Sequence, residues 1–134
     1  MARYWEWDAP FTIRPEETAL LIVDMQTGFT QPDGPLFTPK SAEQLPTIAG
    51  LKEFCNEKGI PVFLSIFSQD VDFHHEHYWF RNKQRGLLTE SGECKFKPGS
   101  PECQIAPALT PVAGDIVFQK YTYSCFSHTE LETW

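Results

Sequence analysis

The stretch Thr18-Ala19-Leu20-Leu21-Ile22-Val23-Asp24 constrains the fold of this chain most. Its apolar residues run without alternation. A strand with one wet face alternates apolar and polar residues, whereas an unbroken run is buried on both faces, the habit of parallel sheets covered by helices. Val62-Phe63-Leu64-Ser65-Ile66-Phe67 repeats the pattern. Between them the spacing predicts a helix that starts at Ser41, with Ser41 and Gln44 placed as a capping box. Leu45, Ile48, Leu51, Phe54 and Cys55 then form one apolar face. Gly59 stands where a helix terminates, and Pro61 follows. A strand, helix and strand of these lengths make a parallel crossover unit.

Residues 27–40 carry Gly28, Pro32, Gly34, Pro35 and Pro39 and are expected to form a loop. Residues 68–112 are a long excursion, with a short helical turn expected around Ile105, Ala108 and Leu109. Gly114-Asp115-Ile116-Val117-Phe118-Gln119-Lys120 then predicts a turn and a third strand, and a further helix is expected to begin near Ser127–Glu130. Alternating strands and helices define an α/β fold. The expected architecture is a Rossmann-like parallel sheet flanked by helices. Residues 1–134 are expected to be a single domain, with the aromatic, proline-rich residues 1–17 draped over it.

The formal net charge of −7 argues against nucleic acid and against an anionic membrane surface, since both require clustered Lys and Arg. No apolar run approaches the ~20 residues of a membrane span. The N-terminus lacks the apolar core of a secretory signal. A cytoplasmic location is therefore expected, with the four cysteines, Cys55, Cys94, Cys103 and Cys125, as free thiols. None is spaced as Cys-x-x-Cys, which removes zinc-knuckle and thioredoxin readings.

Two charges end predicted strands: Asp24 after the first and Lys120 after the third. Parallel strands bring both to the carboxyl edge, where ligands bind in open α/β sheets. A carboxylate and an ammonium there could act as a general base and its stabiliser. Spacing alone serves a structural ion pair at least as well.

The first-strand segment Val23-Asp24-Met25-Gln26-Thr27-Gly28-Phe29, the turn Gly99-Ser100-Pro101-Glu102-Cys103, and the segment Gly114-Asp115 to Phe126, with Lys120 and Ser124 at its fixed positions, resemble the isochorismatase-like cysteine hydrolases. That superfamily includes nicotinamidases, N-carbamoylsarcosine and ureidoacrylate amidohydrolases, biuret hydrolase and isochorismatases. The three matches occur in family order from about residue 15 onward.

The resemblance implies an isochorismatase-like hydrolase fold and hydrolysis of a small amide, imide or ureido C–N bond. It implies Asp24 as general base, Lys120 as the cation that orients it, and Gln26, Phe29, Ser124 and Phe126 along the substrate pocket. The third catalytic group is a cysteine thiolate on a later strand, a strong nucleophile once a base and a cation flank it. None of the four cysteines matches that position. The chain is thus expected to stop before the nucleophile strand, to lack the C-terminal elements of the fold, and to be inactive on amides by itself. Cys125, five residues past Lys120, is the nearest thiol in sequence. Vinyl-ether hydrolysis of the isochorismatase type, needing an aspartic acid but no cysteine, is the alternative chemistry. A non-catalytic module binding a small molecule or a partner chain is the alternative class. No cofactor and no metal are expected; among nicotinamidases, however, an Asp and His residues in the region of Asp70, His74 and His77 hold a metal. The expected partners are a small-molecule substrate and a second copy of the chain, giving a homo-oligomer.

Overall fold

The structure is a computed structural model that describes residues 12–69, 83 and 86–134. Its centre is a three-stranded, all-parallel sheet of β1 (Leu20–Val23), β2 (Val62–Phe67) and β3 (Ile116–Lys120), in the order β1-β2-β3. Leu20 pairs with Val62 and Val23 with Ser65; Phe63 pairs with Ile116 and Phe67 with Lys120. β2 is buried along its first four residues, as its unbroken apolar run predicts. β1 is an edge of the described sheet, and so its Val23 is exposed where the sequence predicts burial on both faces.

Within the segment expected to be a loop, Thr27–Thr30 form a single helical turn, α1. Side chains alternate across a strand, so each face has its own core. On one face Ile22, Val62 and Leu64 meet Cys55 of helix α2 (Pro39–Glu57), with Ile60 and Leu109. On the other, Phe63 and Phe118 pack with Cys125, and the Trp134 ring lies 5.9 Å from Phe63 and 5.8 Å from Phe118. A third cluster, of Leu87, Phe96 and Cys103 with Phe29 and Phe67, closes the carboxyl end of the sheet.

α2 differs from its sequence prediction in two ways. It starts at Pro39 rather than Ser41, and its N-cap Thr38 makes no side-chain cap. A proline at the first helical position has its φ preset and gives up only a donor that would be orphaned there. Its buried stripe runs through Leu45, Ile48, Ala49, Lys52 and Cys55, while Leu51 and Phe54 face outward. The stripe is centred on a lysine because Lys52 Nζ lies 2.7 Å from Asp115 Oδ2, with the two side chains 7% and 1% exposed. Val112 N–H also donates to Asp115 Oδ2, at 2.8 Å. The pair ties α2 to the start of β3.

The helix turn at Pro107–Leu109 forms, within the segment expected for it. The helix expected near Ser127–Glu130 does not; turns and bends occupy 121–134. His128 has φ +59°, which a right-handed helix does not accommodate. Thr129 Oγ1 donates to the Cys125 carbonyl and Ser124 Oγ accepts from Phe126 N–H, so hydroxyls take main-chain groups a helix would use. No helix of the described residues is long and apolar enough to cross a membrane.

Candidate active site

Asp24 follows directly on β1. Val23 and Ser65 are register partners and share a face, so the next residue of a continuing strand would turn toward α2. Asp24 instead has φ +55°. This left-handed conformation costs an L-residue roughly 1–2 kcal/mol, less for Asp, whose short polar chain bonds locally. It ends the strand and returns the carboxylate to the face that carries Ser65 and Lys120. The compensating bonds are visible. Asp24 N–H donates to Ser65 Oγ at 3.1 Å, and the Ser65 hydroxyl donates to Asp24 Oδ1 at 2.8 Å.

Lys120 ends β3, and its Nζ reaches Asp24 Oδ2 at 2.7 Å. The same nitrogen donates to the carbonyls of Thr122 at 3.0 Å and Tyr123 at 3.4 Å. An ammonium has three N–H donors. All three have acceptors here, and the Phe67 ring centroid stands 5.5 Å away. Lys120 is 2% exposed and the Asp24 side chain 25%. The cation is thus sealed inside, while its carboxylate partner opens to solvent. This asymmetry suits a site in which the carboxylate meets the ligand and the lysine acts through it.

The other site residues expected from sequence fall in three positions. Gln26 is fully buried. Its amide accepts from Phe67 N–H at 2.6 Å and donates to the carbonyls of Phe67 at 3.0 Å and Glu102 at 3.2 Å. Gln26 therefore moors the loop after β1 rather than offering a free amide to a ligand. Phe29 stacks on Phe96, with centroids 5.0 Å apart, and lies 6.4 Å from Phe67, forming a partly buried aromatic wall beside the pair. Ser124 and Phe126 are exposed; from their segment it is the main-chain carbonyls of Thr122 and Tyr123 that reach Lys120. Asp70, His74 and His77 lie outside the described residues, among which no group of three metal-ligating side chains occurs.

Three of the cysteines have settled surroundings. Cys55 and Cys125 sit in the two opposed apolar cores. Cys103 Sγ donates toward the carbonyls of Phe67 and Lys97, at 3.5 and 3.4 Å, and burial pushes its thiol up from the ordinary value. A raised thiol is a poor nucleophile. Ser65 is the site residue that the sequence reading passed over. A serine inside a buried apolar run needs a hydrogen-bond partner, which is the available signal.

A family model described as the isochorismatase domain matches residues 18–134. The chain is 31% identical over 126 residues to enterobactin synthase component B of Escherichia coli strain K12, covering 91% of this chain and 39% of that protein. Among solved structures it superposes on a cysteine hydrolase from Pseudomonas syringae pv. phaseolicola 1448A with TM-score 0.76 and 24% identity, covering 92% of this chain and 55% of the other. It superposes on N-carbamoylsarcosine amidase from Thermoplasma acidophilum with TM-score 0.66 and 27% identity, covering 86% and 58%. The chain thus spans between 39% and 58% of the length of these proteins.

Proposed function

Because this chain belongs to the isochorismatase family, we propose that it carries the acid–base half of a hydrolase acting on a small amide, imide or ureido C–N bond. The observation that carries this reading is the 2.7 Å contact between a sealed Lys120 ammonium and a solvent-facing Asp24 carboxylate at the carboxyl edge of a parallel sheet. In this reading Asp24 takes the proton of an attacking thiol and later returns it to the leaving nitrogen. Lys120 holds the carboxylate in place and offsets the charge that develops beside it. Its protons are already committed, so it acts through Asp24 and not as a donor to substrate. Phe29 and Phe67 form the apolar side of the pocket. In this reading Ser124 and Phe126, exposed on the turn whose carbonyls hold Lys120, stand at the rim of the substrate site.

The attacking thiol is proposed to be none of the four cysteines Cys55, Cys94, Cys103 and Cys125. The amide bond is then cut only where a further cysteine joins Asp24 and Lys120. Self-association of the chain belongs to the same proposal, and a monodisperse monomer in sedimentation velocity would count against it.

The deciding experiment titrates the chain with N-carbamoylsarcosine, nicotinamide, ureidoacrylate and isochorismate, following NMR line shapes together with ammonia and pyruvate release. The expected result is saturable binding of an amide, abolished by Asp24→Asn, without ammonia release. Pyruvate release from isochorismate would move the reading to vinyl-ether hydrolysis, with Asp24 as the acid. Ammonia release that disappears in Cys125→Ser would make Cys125 the nucleophile and overturn this part of the reading. Absence of saturable binding by any of the four would refute the site.

A further inference from the structure

Resting on the reading of Asp24 as the base, we propose that Ser65 is a positioning residue, whose single hydroxyl fixes both the backbone and the carboxylate of Asp24. The two bonds named above close a ring: Asp24 N–H to Ser65 Oγ at 3.1 Å, and Ser65 Oγ–H to Asp24 Oδ1 at 2.8 Å. One atom thereby accepts from the main chain of Asp24 and donates to its side chain. Ser65 is buried in the middle of β2, on the most enclosed strand of the sheet, so the hydroxyl is held by a rigid element.

The geometry gives the hydroxyl two tasks. The first is to end β1. The Asp24 N–H meets the Ser65 hydroxyl oxygen on the neighbouring strand, and beyond that amide φ +55° turns the chain out of the strand. The second is to divide the carboxylate. Oδ1 faces Ser65 and Oδ2 faces Lys120, so rotation about the Cα–Cβ and Cβ–Cγ bonds is stopped from both sides. The outward lone pairs that remain are the ones a proton from a nucleophile can reach. Neither Lys120 nor the left-handed backbone achieves this alone: the ion pair holds one oxygen, and φ sets the direction of the chain without setting the side-chain rotamer. Ser65 has no donor left for substrate, so it acts only through Asp24.

The test reads Asp24 directly in the isotopically labelled 134-residue chain, with no substrate required. In Ser65→Ala the Asp24 amide proton should exchange at least about tenfold faster relative to the Ile22 amide of the same strand, as for a lost hydrogen bond. The three-bond couplings of its β protons should change from those of one rotamer to an average. Ser65→Thr keeps the hydroxyl and should restore both; a role in packing alone would show no such rescue. If Ser65→Ala does not fold, Ser65→Cys, with a weak donor of similar size, carries the same readouts. Unchanged exchange and couplings in a folded hydroxyl-free variant overturn the proposal. On any substrate the chain turns over, Ser65→Ala should lower kcat about 10- to 100-fold, with KM within about twofold, because a misplaced group near 1 Å from its proper position costs that much. Altered couplings with unaltered kcat would keep Ser65 as the positioner of Asp24 and sink the reading of Asp24 as the base.

Discussion

The asymmetric burial of the ion pair predicts an asymmetric cost of breaking it. Asp24→Asn keeps the size, the tolerance of φ +55° and the bonds to Ser65, but removes the charge. It leaves Lys120, 2% exposed, with two carbonyls and an aromatic ring and without a counter-ion. An uncompensated buried charge costs about 3–5 kcal/mol. Lys120→Met removes the other partner and leaves a carboxylate that is 25% exposed and still hydrogen-bonded to Ser65. Water completes its shell, so the cost falls toward the about 1 kcal/mol of a surface pair. The expected difference is about 2–4 kcal/mol, with Asp24→Asn the less stable, or roughly 6–12 °C in Tm for a domain of this size. Urea unfolding followed by tryptophan fluorescence measures it, provided the denaturant slopes agree. If Lys120→Met costs as much as Asp24→Asn, or more, the carboxylate is the desolvated member and the directional reading of the site fails.

The Lys52–Asp115 pair has both side chains buried, so Lys52→Met should cost about 3–5 kcal/mol in the same assay. Adding Asp115→Asn should recover most of that loss, since the amide oxygen can still accept from Val112 N–H; an additive double variant would refute a desolvated pair. A Cβ on Gly34 would lie 2.5 Å from the Gly28 carbonyl oxygen, a backbone atom that cannot swing aside. Gly34→Ala should therefore destabilise by about 1–3 kcal/mol, read as a drop in Tm. Burial raises the Cys103 thiol above its ordinary 9.0, so the folded chain keeps a proton that the unfolded chain releases. Stability from this group is complete below pH 9.0 and declines as pH rises beyond it. Cys103→Ala should flatten that alkaline decline, and an identical pH profile would remove burial of the thiol as its cause.

The sheet was legible because unbroken apolar runs have few other uses in a chain of this length. Asp24 and Lys120 were legible as charges ending such runs, and parallel order alone brings them to one edge. Lys52 was not, because apolarity ranks Leu51 and Phe54 above it and its burial depends on Asp115, more than sixty residues away in sequence. The absence of the helix expected near Ser127–Glu130 is not legible, because an apolar pattern does not register hydroxyls, such as that of Thr129, that bind their own backbone. Gln26 was placed in the right loop, but its burial depends on Glu102, on a segment whose path the sequence does not reveal.

Gln26 also sets the smallest piece of this molecule that could be moved elsewhere. One carboxamide binds the amide and carbonyl of Phe67 and the carbonyl of Glu102, and beside it Thr27 N–H donates to the Gln104 carbonyl and Ala106 N–H to that of Met25. Three distant stretches of chain are laced at one knot immediately beside Asp24. A graft of residues 24–30 alone onto another parallel sheet would arrive untied. The transplantable unit is 24–30 together with 65–68 and 101–106, and a recipient scaffold must offer room for all three before its aspartate can be expected to hold still.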